Sequence, residues 1–129
     1  MGTARLKGAY AYKQLLQQNG WLPLGTDFPV EDISPFKTFL AAVFRVDAKG
    51  SPAGGFQPEN ALTREEAMRG MTIWAAKADC LEKEIGSLEA GKRADFIILD
   101  RDLMQVGQGE VLQTKVMATY SGGRLLYSL

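Results

Sequence analysis

The chain has 129 residues, which suffices for one domain or two small ones. Its 15 basic and 15 acidic residues balance, so charge gives no reason to expect nucleic acid or an anionic membrane as a partner. It has no histidine and one cysteine. A Ser-His-Asp triad, a Cys-His pair, a histidine-rich zinc site and an internal disulfide are therefore excluded within the chain.

The first part of the chain predicts a helix and then a short strand. Apolar residues three and four apart predict a helix over residues 4–18, and Gly20 follows as a stop signal. The apolar run 21–24 predicts a strand, although Pro23 in it cannot donate to a sheet ladder. The strand opens into a polar loop at Asp27, and strand ends are where many folds place their chemistry.

A second helix is predicted directly after Ser34. Serine can cap the free N–H groups of a first turn, and Pro35 suits that turn. Apolar side chains then recur at helical spacing and predict a face turned toward a core. They are Phe36, Phe39, Leu40, Val43 and Phe44. Residues 47–61 are rich in glycine and proline without periodicity, which predicts a long loop of functional or mobile character that can line a pocket mouth.

The third predicted helix, residues 63–78, has the clearest local signals. Thr63 and Glu66 match a capping box, in which each side chain bonds to the backbone N–H of the other residue. Small and apolar residues then line one face of the helix. Trp74 and the methionines belong to this pattern, so they are interpreted as core residues and not as a cofactor site.

The chain changes character after Cys80, from helices to strands. Residues 94–99 predict a buried strand, and residues 115–120 predict a second strand by their alternation. The pair Gly122-Gly123 is a turn signal, after which residues 124–127 predict a returning strand. The chain therefore divides into residues 1–79 and residues 80–129. Cys80 has no histidine to activate it and is interpreted as a residue that only packs or lies near the junction of the two parts.

Residues 86–92 match the spacing of a phosphate loop, Gly-x-x-x-x-Gly-Lys, in which Lys92 would reach over the phosphates. Two features oppose a nucleotide site. Arg93 stands where a serine or threonine must hold magnesium, and an apolar strand follows where a helix should begin. We therefore predict that residues 89–92 form the turn of a hairpin whose first strand begins at Ile85.

The acidic residues near the first predicted strand have a functional and a structural interpretation. Asp27 either takes part in chemistry or only caps the turn before Phe28-Pro29, and the local sequence favours the turn. Glu31 and Asp32 are neighbours in a loop, which does not give the convergent geometry of a working carboxylate pair. They are interpreted as solvated or first-turn acids. Ser121 has no base to activate it and is interpreted as a turn residue.

Five segments carry a resemblance to a known family. They are Gly8-Ala-Tyr-Ala-Tyr-Lys, Gly25-Thr-Asp-Phe-Pro-Val, Leu62-Thr-Arg-Glu-Glu-Ala, Ile85-Gly-Ser-Leu-Glu-Ala-Gly-Lys and Val116-x-Ala-Thr-Tyr-x-Gly-Gly-Arg. Together they resemble the C-terminal third of amidohydrolase-superfamily proteins, and more narrowly the branch of N-substituted formamide deformylases and exoenzyme regulatory proteins. One segment alone is a weak signal, whereas five in the right order cover nearly the whole chain.

The resemblance implies the C-terminal portion of a metal-dependent (β/α)8-barrel hydrolase. Residues 1–79 would hold the last barrel strand plus helices, and residues 80–129 part of a small β-sandwich domain. The family implies divalent metal, zinc foremost, bound mainly by histidines of earlier strands, and hydrolysis of C–N bonds in a small-molecule substrate. Asp27 aligns with the eighth-strand aspartate, which binds metal and shuttles the proton of the attacking water. Without the histidine ligands, this chain alone is expected to be inactive.

The missing barrel strands have consequences for partners. A whole barrel needs about 250 residues, so open strand edges and bare apolar faces are expected to drive self-association or pairing with the missing N-terminal part. Neither a secretory pattern nor a membrane-length apolar run is present, which favours a cytoplasmic location and no membrane partner. The alternative function is a non-catalytic regulatory or binding module derived from the amidohydrolase tail. Nucleotide binding through residues 86–92 ranks last.

Overall fold

A computed structural model describes residues 3–129 as short helices followed by a small antiparallel sheet. The α-helices are α1 (Thr3–Leu6), α2 (Tyr12–Asn19), α3 (Pro35–Phe44), α4 (Arg64–Met71) and α5 (Ile73–Ala78). The strands are β1 (Phe96–Leu99), β2 (Val116–Ser121) and β3 (Arg124–Ser128), and 3-10 helices cover Pro58–Asn60 and Gln108–Gln113. Across these residues, the helices are all too short or too polar to cross a bilayer.

The first predicted helix is interrupted and forms α1 and α2. Tyr10 between them has a φ of 57°, a left-handed conformation that cannot continue a right-handed helix. The carbonyl oxygen of Tyr10 instead accepts a hydrogen bond from Arg45 Nη2 at 3.1 Å. The prediction of one continuous helix over residues 4–18 was wrong. The side chain of Arg45, which is distant in sequence, binds the Tyr10 carbonyl oxygen that a continuous helix would use for one of its own backbone hydrogen bonds.

The helix predicted after Ser34 is confirmed as α3, with Pro35 in its first turn. Its cap differs from the prediction, because the Ser34 side chain makes no capping hydrogen bond. Asp32 Oδ1 instead accepts the N–H of Ser34 at 2.9 Å. The predicted apolar face is also confirmed, since Phe39 and Leu40 are buried in the core.

The helix predicted over residues 63–78 has the predicted capping box but breaks in two. Thr63 and Glu66 exchange both capping hydrogen bonds. The break lies at Thr72, whose φ is −126° and ψ is −95°. The Thr72 hydroxyl donates to the carbonyl oxygen of Met68 at 2.7 Å, and this carbonyl would otherwise accept the N–H of Thr72. Such bonding by a hydroxyl side chain bends helices, which explains why α4 ends and α5 begins here.

One hydrophobic core joins the two halves of the chain. Its buried members from the first half pack with two from the second half, Leu103 and Val111. Arg64 on α4 strengthens this link, because its guanidinium donates to the carbonyl oxygens of Leu103 and Val106. Trp74 packs against the same core, in line with its interpretation as a core residue. The division at residues 79 and 80 stays a prediction.

Two predicted strands are absent from the described structure. Residues 21–24 are extended but lie in no sheet, and their contact with α4 is a hydrogen bond from the Leu24 N–H to the Gly70 carbonyl at 2.9 Å. Residues 85–88 form no hairpin; the Arg93 N–H bonds to the carbonyl of Glu84 at 2.8 Å. Both predictions were wrong: within residues 3–129, residues 21–24 have no neighbouring strand to pair with, and residues 85–88 bend at Gly86, whose φ is 87°.

The sheet at the end of the chain confirms the later strand predictions, except that β1 is not the buried strand predicted, because Ile97 and Ile98 are exposed. Its order is β1-β2-β3, with antiparallel pairing throughout. Gly122 and Gly123 form the predicted turn between β2 and β3, with φ values of 56° and 77° that suit a two-residue hairpin loop. Phe96 lies opposite Tyr120, and their rings stack with centroids 4.6 Å apart.

The ionised Asp100 carboxylate links the end of β1 to the start of β2 by hydrogen bonds. Asp100 accepts hydrogen bonds from the Arg101 side chain and from the Lys115 N–H, which lower its pKa from 3.8 to about 2. A lowered folded-state pKa gives stability that is present above pH 3.8 and is lost as the pH falls through about 2. We therefore expect Asp100→Asn to be less stable at pH 5, with a difference that shrinks by pH 2. Urea midpoints at both pH values test this, and an unchanging difference would contradict it.

Candidate functional site

A cavity of about 650 Å³ lies between the extended segment after α2, the inner face of α3 and the start of the long loop. This volume falls within the range of small-molecule sites. Leu24 and Leu40 give it apolar walls, and its acidic lining residues are Asp27, Glu31, Asp32 and Asp47. The prediction that the loop over residues 47–61 lines a pocket is supported by Asp47 and Ala48, which both face this cavity.

Asp27 is presented to the cavity by a tight turn. Its φ of 55° is a left-handed conformation, which aspartate tolerates better than most residues. Its carbonyl oxygen accepts the N–H groups of Val30 at 2.8 Å and Glu31 at 3.3 Å, and Thr26 Oγ1 accepts the N–H of Phe28. The turn is therefore closed by the Asp27 backbone and the Thr26 hydroxyl. Within residues 3–129, the Asp27 carboxylate makes no hydrogen bond or ion pair.

The neighbouring acids differ in how strongly they are held. Asp32 Oδ2 lies 2.7 Å from Lys37 Nζ, and this bond keeps the pKa of Asp32 below its ordinary value. Asp47 accepts the N–H groups of Ser51 and Lys49, which lowers its pKa in the same direction. Both carboxylates are therefore ionised, and each is hydrogen-bonded to residues close to it in the sequence. Glu31 is exposed, in line with its interpretation as a solvated acid.

Arg45 is a lining residue that the sequence gave no reason to single out. Its side chain is buried at the end of α3, where its Nε donates to the carbonyl of Phe56 at 3.0 Å. Its guanidinium also lies 5.5 Å from the ring centroid of Tyr12. These contacts tie the start of α2, the end of α3 and the long loop together around the cavity. They depend on tertiary contacts between segments up to 35 residues apart, which a local pattern cannot indicate.

The donor set of this chain fits one metal ligand but not a complete metal site. In the part of the chain that the structure describes, no three Asp, Glu or Cys side chains converge on one point. One carboxylate cannot fix a transition metal in a defined open geometry, which needs about three protein ligands. Asp27 lines the cavity, and its carboxylate makes no hydrogen bond or ion pair with residues 3–129.

The other predicted residues lie outside this cavity. Lys92 Nζ bonds to Ser87 Oγ at 2.6 Å within its own turn, and β1 follows where a phosphate loop would need a helix. Ser121 Oγ donates to Asp95 Oδ1, and Ser121 is the last residue of β2, directly before the turn, and not a turn residue itself. Cys80 is exposed and does not pack in the core, but it lies at the junction between α5 and the strands, as the other interpretation predicted. Its φ of 59° places it just after α5, where the chain leaves the helix.

Comparison with known proteins gives matches along nearly the entire chain. The family model described as "Amidohydrolase family" matches residues 1–127. The protein LONG AFTER FAR-RED 3 of Arabidopsis thaliana is 38% identical over 98% of this chain. An N-substituted formamide deformylase of Arthrobacter pascens is 36% identical over 92% of it. The chain spans about a fifth of the length of these relatives, 21% of each.

A solved structure supports the fold. The crystal structure of an amidohydrolase from Thermotoga maritima MSB8 matches 93% of this chain with a TM-score of 0.61. The identity is 22%, and the match covers 26% of that protein. At this identity the likeness concerns the fold alone. The chain therefore corresponds to about a quarter or less of the length of this protein and of the relatives above.

Proposed function

The chain belongs to the amidohydrolase family, and on that premise we propose that it forms the C-terminal part of a metal-dependent hydrolase of C–N bonds. The observation that carries the proposal is Asp27, which lines a cavity of about 650 Å³ and whose carboxylate makes no hydrogen bond or ion pair within residues 3–129. In the proposed protein, residues 1–79 are the end of the barrel domain and residues 80–129 part of a small β domain. This chain alone is expected to be inactive.

Asp27 has two roles in the proposed reaction. It is one ligand of a divalent metal, zinc foremost, whose remaining ligands come from outside these 129 residues. A metal bound there would lower the pKa of a water molecule and polarise the scissile carbonyl. The Asp27 carboxylate takes the proton of the attacking water and gives it to the departing nitrogen. Among the described residues its carboxylate has no hydrogen-bond or ion-pair partner, which supports these roles because an acid committed to a salt bridge is a poor proton acceptor.

The proposed substrates are small molecules with an amide or formamide bond. A volume of about 650 Å³ suits a small molecule, and one wall of the cavity is apolar. The relative named N-substituted formamide deformylase supports formamides as the first class to try. We expect the whole protein, loaded with zinc, to release amine from a small N-substituted formamide or from an N-acetylated amine of similar size.

Amine release measured with and without a chelator tests the proposed function. Hydrolysis that stops on chelation and returns with zinc would support it. A metal-free protein that folds normally, together with no hydrolysis of either amide class, would instead favour the non-catalytic regulatory or binding module. Nucleotide binding through residues 86–92 has no support in the geometry, because Lys92 is held within its own turn.

The exposed sheet supports a further part of the proposal, that the 129-residue chain pairs with other polypeptide. Every residue of β3 is exposed, including the apolar Leu125, Leu126 and Tyr127. Ile97 and Ile98 on β1 are each 47% exposed. Open edges with apolar side chains favour association. We expect the isolated chain to sediment as an oligomer at micromolar concentration, whereas a stable monomer would contradict this expectation.

A further inference from the structure

Gly70 lies where the extended segment before Asp27 meets α4. It is buried in the last turn of α4, and its position leaves no room for a side chain. A Cβ atom there would lie 2.7 Å from Leu24 Cγ, 2.8 Å from Leu24 Cδ1 and 3.0 Å from the carbonyl oxygen of Leu22. Real Cβ contacts are essentially never under 3.0 Å. A larger residue would therefore force the Leu24 side chain, or the segment that carries it, to shift.

The same residue also makes the hydrogen bond that fixes the segment. The Gly70 carbonyl oxygen accepts the Leu24 N–H at 2.9 Å. Among the described residues, this is the backbone hydrogen bond that joins residues 21–26 to another element of the fold. Close packing and the hydrogen bond thus meet at one point, three residues before Asp27.

Gly70 is unfavourable for the helix itself. Glycine weakens a helix interior relative to alanine, because it loses more backbone freedom on folding. The Gly70 backbone needs no left-handed conformation, so the turn geometry of α4 does not call for glycine. The close approach of Leu22 and Leu24 is the feature of the structure that requires a residue without a side chain.

We propose that Gly70 is a positioning residue for Asp27. It lets the segment over residues 21–26 lie against α4, and this contact sets where the Asp27 carboxylate enters the cavity. The inference deepens the proposed function and rests on it for the role of Asp27. The packing of residues 21–26 against α4, called the packing step below, depends only on Gly70, Leu22 and Leu24. It can therefore be tested without any enzymatic activity.

Hydrogen exchange in the variant Gly70→Ala tests the packing step. Helix propensity alone would make this variant more stable. If the segment is displaced, the Leu24 amide, which donates to the Gly70 carbonyl, should exchange at least about tenfold faster while α4 stays protected. Gly109→Ala is the matched control, because nothing lies within 4 Å of a Cβ atom there and the residue is also helical. Unchanged exchange of the Leu24 amide would overturn the inference.

The double variant Gly70→Ala with Leu24→Ala identifies the cause. Truncating Leu24 removes both atoms closest to the new Cβ, although the Leu22 carbonyl stays near. We expect the double variant to recover part of the protection of the backbone amide at position 24 relative to Gly70→Ala. If Gly70→Ala does not fold, folding of the double variant supports the inference. A double variant that behaves no better than Gly70→Ala, in exchange or in folding, overturns it.

Zinc content of the whole protein connects the packing step to the site. We expect Gly70→Ala to retain less zinc, with kcat reduced more than KM is changed, whereas Gly109→Ala should match the natural protein in both. Faster exchange with unchanged zinc content and kcat would overturn Gly70 as a positioning residue. If Asp27→Asn itself leaves zinc content and kcat unchanged, the proposed role of Asp27 fails, while the exchange result still decides the packing step.

Discussion

Asp27→Asn is expected to lower kcat of the whole, zinc-loaded protein by about 10²–10⁴, the range for loss of a general acid or base. Asparagine keeps the size of the side chain and its ability to accept hydrogen bonds, but it cannot take up the proton of the attacking water. Because the Asp27 carboxylate makes no hydrogen bond or ion pair within residues 3–129, the substitution should leave the fold unchanged. Steady-state kinetics and an unfolding curve on the same sample separate chemistry from stability.

Glu31→Gln provides the matched control for Asp27→Asn. Glu31 lines the same cavity, is exposed and lies four residues further along the chain. If proximity of negative charge to the cavity were all that mattered, both variants should lose activity to a similar extent. We expect Glu31→Gln to stay within about threefold of the natural protein, a change of under 1 kcal/mol in the activation barrier. Near-normal kcat in Asp27→Asn would refute the assignment of Asp27.

Phe39→Ala is expected to be the most destabilising single substitution in α3. Phe39 is fully buried at the centre of the core that joins both halves of the chain. Truncating a buried phenylalanine removes its transfer free energy and leaves a cavity, which together cost about 3–5 kcal/mol. This loss is comparable to the whole stability of a small domain, so the variant should be largely unfolded or aggregated.

Urea unfolding followed by tryptophan fluorescence measures this effect, with Phe28→Ala as the control. Phe28 is 61% exposed, so its truncation should change the free energy of unfolding by no more than about 0.5 kcal/mol. Equal midpoints for Phe39→Ala and Phe28→Ala would mean that the core described here does not hold the protein together. The comparison also tests whether residues 80–129 depend on α3, because Val111 belongs to the same core.

Local signals in the sequence predicted the elements whose stability is local. The capping box of Thr63 and Glu66 starts α4 as predicted, because both partners lie within one turn. The turn at Gly122-Gly123 forms because both residues reach positive φ without a side chain to obstruct it. The apolar face of α3 is buried because its spacing matches the helix period.

Features that depend on distant partners could not be predicted in this way. The interruption at Tyr10 involves Arg45, 35 residues away, and the path of the segment before Asp27 depends on Gly70. The segments 21–24 and 85–88 have strand-like sequences but lack pairing partners in the described structure. The cavity is likewise assembled from separate segments. The sequence identified Asp27 as a candidate through a family resemblance, whereas only the structure shows that it lines a cavity and that its carboxylate has no partner within residues 3–129.

The size of the natural product tests most directly whether this chain is part of a larger hydrolase. An immunoblot of source cells, with an antibody against residues 62–78, would measure it without assuming a substrate or a metal. The account predicts a band about five times the 14.1 kDa of this chain, because the chain spans 21% of each of its two reported relatives. A single band at 14.1 kDa would contradict it, since no chain of that size could supply the histidine ligands and barrel strands that the proposed reaction requires.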